Sequence, residues 1–146
     1  MVWKPNVTVA AIVEREGRFL LVEENTSQGV KLNQPAGHLE QGETLIEAIK
    51  REVLEETAYA FEPEFTTGVH LWTTTPSNTT FLRVTFSGTV GQFFANRELD
   101  TGIIQTVWMT PKEIEDAGPD LRSPLVLNCV TDYVNGHIFP LSVIQP

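Results

Sequence analysis

The segment Thr44–Thr57 (TLIEAIKREVLEET) has a helical repeat whose apolar stripe is flanked by carboxylates, and that conflict constrains the chain more than any other feature. Thr44 followed three residues later by Glu47 is a capping box, so the helix starts there. With about 100° per residue, Leu45, Ile46, Ile49 and Val53 share an arc of roughly 100°, the face that packs on a core. Glu52 and Glu56 fall about 20° to either side of Leu45, and Glu55 about 80° away. Like charges three and four residues apart cost a helix a few tenths of a kcal/mol per pair, roughly, and burial strips their hydration as well. Two readings of the residues stand at this point. One is a solvated charged face with Lys50 and Arg51 as partners. The other is a hard-cation site, with oxygen ligands converging on Mg²⁺ or Mn²⁺.

The net charge of −9, from 10 basic and 19 acidic residues, sharpens the question. Such a surface repels nucleic-acid backbones, so bulk nucleic-acid binding is not expected. A small phosphorylated substrate would need cations supplied locally. The 146 residues suit one domain spanning 1–146. No run of about 18 apolar residues is present, which argues against a membrane helix, and no signal-peptide pattern opens the chain. The single cysteine, Cys129, excludes an internal disulfide or a cysteine-based zinc site and fits a cytoplasmic setting.

Around the helix, Val7–Val13 and Arg18–Glu24 read as a hairpin turning at Glu16-Gly17. Asn33–Gly37 is a loop or short edge strand, because Pro35 cannot donate to a ladder. Pro63 is expected to stop the helix from continuing. Further strands are expected at Glu64–Trp72, Phe81–Val90 and Thr106–Met109, a short helix from about Pro111, and a longer one over about Pro124–Asn135 ended by Gly136. This order gives an α+β or mixed-sheet α/β class.

Ahead of the helix stand Gly37, Glu40, Gly42 and Glu43. A glycine lets backbone approach a ligand closely. Glu43 lies eight residues before Arg51, so a pair between them requires the loop to fold back, and such a pair would hold the loop on the helix.

Gly37, five residues, Glu43, seven residues, then Arg51-Glu52-Val53-Leu54-Glu55-Glu56-Thr57-Ala58-Tyr59 resembles the signature of the Nudix hydrolases. Ala58 departs from it, standing where the family usually has glycine. Lys4-Pro5 with Val7–Ala10, Asn33–Glu40 and Leu121–Val126 resemble the NudJ phosphatase branch of that family, and the likeness runs nearly the length of the chain. The resemblance implies a mixed-sheet α/β/α sandwich. It also implies Mg²⁺-dependent, possibly Mn²⁺-supported, release of orthophosphate from nucleoside di- and triphosphates or a thiamine-pyrimidine pyrophosphate. The alternatives are a pyrophosphohydrolase cutting dinucleotide or nucleotide-sugar diphosphates, and a Nudix-fold binding module without turnover, which would be expected to have lost a box carboxylate.

On this reading Glu52, Glu55 and Glu56 hold metal, with Gly37 contributing backbone and Glu40 joining through water. Glu56 also orients the attacking water, while Arg51 and Glu43 orient the site. Arg122, Ser123, Arg83 and Lys4 are the candidate phosphate contacts, the first two because they precede a helix N-terminus. Trp72 is the candidate ring-stacking residue, with Trp3 and Phe81 beside it; His38 and His70 lack metal-ligand spacing. The expected partner is a small phosphorylated molecule such as a nucleotide or pyrimidine diphosphate, and the expected assembly a monomer or small homo-oligomer. Asp100 and Glu98 are read as solvated loop charges, each able to reach the site only if the loop bends at Gly102.

Overall fold

The computed structural model describes residues 1–145. Eight strands form one mixed sheet, and helices cover both faces. β1 (Asn6–Arg15) turns at Glu16-Gly17, both at positive φ, into β2 (Arg18–Thr26). The two pair only next to the turn, at Glu14↔Phe19 and Arg15↔Arg18. Beyond it they part. β1 continues against β4 (Ala36–His38) on one side and runs parallel to β6 (Thr80–Phe93) on the other. β2 instead pairs with β3 (Gly29–Asn33) and β7 (Ile103–Met109). β5 (Tyr59–Thr73) lines the far side of β6, and the two-residue β8 (Phe139–Pro140) extends it. The gap that opens where β1 and β2 diverge is where the functional side chains gather.

Helix α1 (Leu45–Thr57) has the expected capping box, with Glu47 N donating to Thr44 Oγ1 at 3.1 Å and Thr44 N to Glu47 Oε1 at 2.8 Å. Its Ala48, Ile49 and Val53 are buried against Val9, Ala11, Val13, Val84 and Phe86. α2 (Pro111–Ala117) and α3 (Leu125–Val134) cover the opposite face, where Ile114, Val126, Cys129 and Val130 meet Ile12, Phe19 and Leu21. The α/β/α sandwich expected from the resemblance is the architecture observed.

Two expectations need correcting. Pro63 does not stop the helix. Ala58 does, in the left-handed region at φ 63°, with its N–H bonding Leu54 O at 3.0 Å, and the strand begins at once. Pro63 sits inside β5 at a register shift, an irregular place where a missing donor is tolerated. β3 was not anticipated, because Gly29–Asn33 is short and its pairing with β2 is a tertiary contact. Among the described residues, no helix is long and apolar enough to cross a membrane.

Candidate active site

The strand gap opens into a cavity of about 810 Å³. One wall is α1. Glu52 and Glu56 are each only 7 % exposed, so these carboxylates do sit at the edge of the buried stripe. Arg51 is the hub that holds the loop on the helix. Its Nε and Nη2 grip Glu43 at 3.0 and 2.6 Å, the fork geometry that suits a carboxylate. Its Nη1 reaches Glu52 Oε1 at 2.7 Å and Glu55 Oε2 at 3.2 Å, and Nη2 also donates to His38 O at 2.9 Å. Glu40 is largely exposed and lies 3.6 Å from Arg51 Nη1. Bonding to Arg51 holds the Glu43 carboxyl below the ordinary range and pushes Arg51 up.

The other carboxylates move the opposite way. Burial raises Glu52, and burial followed by the charge of Asp100 raises Glu55. Burial pushes Glu56 up to about 9, against the opposing hydrogen bond that its Oε1 accepts from Ala36 N at 2.8 Å. Three neighbouring acids that resist ionisation are what a site short of positive charge looks like.

Glu52, Glu55 and Asp100 each offer a carboxylate oxygen within 4.8 Å of the other two. Asp100 therefore corrects the expectation of a solvated loop charge. The loop does bend at Gly102, at φ 95°, and Asp100 N donates to Glu55 O at 2.9 Å, which pins the loop on the end of α1. Glu98 is exposed and does not line the cavity. Glu56, expected among the ligands, stands outside this trio. An all-oxygen, all-anionic donor set fits a hard divalent cation such as Mg²⁺ or Mn²⁺. Gly37 fits the same purpose, since a Cβ there would collide with the Glu52 carboxylate.

On the wall opposite the carboxylates, Arg83 is 5 % exposed, with Nη1 donating to Gln34 Oε1 and Nη2 to Asn33 Oδ1, both at 3.0 Å. Arg122 lines the cavity but pairs with Glu24 at 3.1 Å, and the Ser123 hydroxyl accepts from Leu125 N at 3.2 Å. Trp72 and Phe81 stack with centroids 6.2 Å apart and planes 20° apart. Lys4 is the candidate that the structure leaves out. It lies exposed ahead of β1 and does not line the cavity. Trp3 is likewise exposed, and His70 is taken up with Asp132 at 3.0 Å, away from the site. Sequence reasoning passed over Glu24, Asn33 and Gln34; the last two lay inside a quoted motif, but only as loop residues.

A family model described as the NUDIX domain matches residues 3–128. The phosphatase NudJ of Escherichia coli (strain K12) is 42% identical over 142 residues, covering 97% of this chain and 92% of that protein. A NUDIX hydrolase from Nitrosomonas europaea superposes with a TM-score of 0.95 at 50% identity, covering 98% of this chain and 97% of its own. A MutT protein from Methanosarcina mazei Go1 superposes with a TM-score of 0.72 at 25% identity, over 93% of this chain and 99% of its own.

Proposed function

This chain belongs to the NUDIX domain family and is a hydrolase of phosphoanhydride bonds, and from that premise we propose that it is a Mg²⁺-dependent phosphatase of nucleoside di- and triphosphates or of a thiamine-pyrimidine pyrophosphate, releasing orthophosphate. The observation that carries the reading is the carboxylate trio Glu52, Glu55 and Asp100 at one side of a cavity whose other side presents arginine and stacked aromatic rings. Glu52, Glu55 and Asp100 would hold the cation, with Gly37 giving the Glu52 carboxylate its room. Bound there, Mg²⁺ offsets phosphate charge and lowers the pKa of a coordinated water.

The remaining steps belong to the chain's own groups. Arg51 fixes the carboxylates in place, and Glu43 fixes Arg51. Glu56 is the general base: it stands beside the trio, and its burial gives it the proton affinity that such a group needs near neutral pH. Arg83 and Arg122 face the phosphate chain, Ser123 lies beside them, and the Trp72–Phe81 pair offers a flat face for a base or pyrimidine ring. A cytoplasmic setting suits a chain with one buried thiol.

The test is a panel of nucleoside di- and triphosphates, a pyrimidine pyrophosphate, dinucleotides and nucleotide sugars, run with Mg²⁺ and with EDTA. Orthophosphate as product, lost in chelator, is the expected result. Two monophosphate esters from a dinucleotide or nucleotide sugar as the preferred reaction would replace this reading with pyrophosphohydrolysis. Binding without turnover on every substrate would leave only a binding module.

A further inference from the structure

Three arginines line the cavity, and they differ in what neutralises them. Arg51 is engaged by Glu43, Glu52 and Glu55, and Arg122 by Glu24. Arg83, the most buried of the three, contacts neutral atoms only: Gln34 Oε1, Asn33 Oδ1 and, at 3.8 Å, Cys129 Sγ. A guanidinium taken out of water without a counter-ion is costly, and it stays charged. In a chain with 19 acidic residues against 10 basic ones, a purely structural arginine would be expected on a carboxylate.

A carboxylate is in fact close by. Glu24 lies 3.5 Å from Asn33 Nδ2, but Asn33 stands between it and Arg83, and Arg122 takes the same Glu24 oxygen. Gln34 is 1 % exposed, and its Nε2 donates to Val126 O at 2.7 Å. That bond fixes the amide so that only its oxygen can face Arg83. The cage therefore orients the guanidinium without cancelling its charge.

We propose that Asn33 and Gln34 are positioning residues that keep Arg83 available as the docking cation for a phosphate group of the substrate, an inference that rests on the phosphoanhydride chemistry proposed for the same cavity. A fixed, unneutralised guanidinium donates to phosphate oxygens in the fork geometry that an ammonium cannot match. Substrates are then selected for an anionic group at the Arg83 side as well as at the carboxylate side.

Asn33→Asp tests this, because it puts a carboxylate of the same size on Arg83. The probe is methylenediphosphonate, a pyrophosphate whose bridging carbon resists hydrolysis, at a fixed Mg²⁺ concentration. Its Kd should weaken about tenfold or more, the size of one hydrogen bond to a charged group. KM for the substrate should rise by that factor while kcat falls less. The dependence of Kd on NaCl should flatten, since a neutralised site has less charge to screen. A merely structural role would lower the melting temperature and leave the salt dependence alone. In the wild-type chain the Arg83 Nε–H resonance should shift as methylenediphosphonate is titrated in. A resonance unmoved at saturation overturns the proposal whatever the variants do, and so do an unchanged Kd and salt dependence in Asn33→Asp. If every phosphoanhydride resists turnover but the resonance still shifts, the proposed reaction falls and this docking role stands.

Discussion

Replacing Gly37 by alanine separates the fold from the site. The glycine is not at positive φ, so its backbone accepts an alanine without strain. A Cβ there would overlap the whole carboxylate of Glu52. Ordinary contact between such atoms needs about 3.5 Å, so the carboxylate must retreat by roughly 1 Å. It is the far end of a flexible side chain, and the retreat costs the fold little. What it does cost is the 2.7 Å bond to Arg51 and the place in the trio with Glu55 and Asp100. A misplacement of about 1 Å at a reacting centre is worth roughly 10²-fold in rate, or about 2.7 kcal/mol. We expect Gly37→Ala to melt within about 4 °C of wild type in EDTA, corresponding to roughly 1 kcal/mol in a chain of this size. Its kcat/KM should fall about a hundredfold, and its Mg²⁺ affinity by calorimetry should fall with it. Mg²⁺ affinity and kcat/KM within threefold of wild type would refute the placement of Glu52 against Gly37. An unfolded variant would show that the glycine serves the backbone instead.

Glu56→Gln should stabilise the metal-free protein, and increasingly so with pH. Folding raises the Glu56 pKa from 4.5 to about 9, so the folded state binds the extra proton and the metal-free fold weakens as pH rises through that window. Glutamine removes this loss, leaving the variant ahead by roughly 3 kcal/mol at pH 7 and little changed below pH 4.5, as melts in EDTA from pH 4 to 9 would measure; an advantage that does not grow with pH would contradict a buried, protonated Glu56. The same substitution should lower kcat at saturating Mg²⁺ by about 10²-fold or more, whereas Asp100→Asn should mainly raise the Mg²⁺ requirement and cost kcat less than about tenfold. Glu98→Gln should do neither; a crippled Asp100→Asn beside a mild Glu56→Gln would move the base into the loop. Ala58→Gly relieves a left-handed alanine, worth about 1–2 kcal/mol. It also gives up a buried methyl, about 0.8 kcal/mol, and loosens the unfolded chain by about 0.4–1 kcal/mol. The net change in melting temperature should stay within about 4 °C, and a larger shift would mean that one of these opposing effects is misjudged.

That near-cancellation at Ala58 explains why the helix end was hard to read from the residues. Alanine there gives no glycine signal, so Pro63 stood out instead, although the chain had already turned four residues earlier. The helix itself was legible because periodicity and the capping box are local, and so was the Glu43–Arg51 clamp, whose spacing demanded a folded-back loop. Asp100 was not legible, because its place depends on the turn at Gly102 and on one backbone bond to Glu55, both of them tertiary facts. Lys4 misled for the opposite reason: it has the right charge in a matching motif, but the chain leaves it outside the cavity.

The stretch Asn33–His38 touches nearly every part of the site. Asn33 and Gln34 hold Arg83, Pro35 O takes Ala11 N, Ala36 N meets Glu56, Gly37 makes room for Glu52, and His38 O receives Arg51. Six consecutive residues are thus committed, and none is left as slack. An insertion of one residue here would shift everything beyond it by about 3.3 Å and reverse which way the side chains point, so that cation and carboxylates fall out of step together. Divergence toward new substrates has little freedom on this wall. The polar loop across the cavity is different. Its Thr74, Ser77 and Thr79 bond chiefly to one another, so changes there would reshape the mouth without disturbing the chemistry. A deletion scan would find the first segment intolerant and the second permissive, and a library meant to broaden the substrate range belongs in the second.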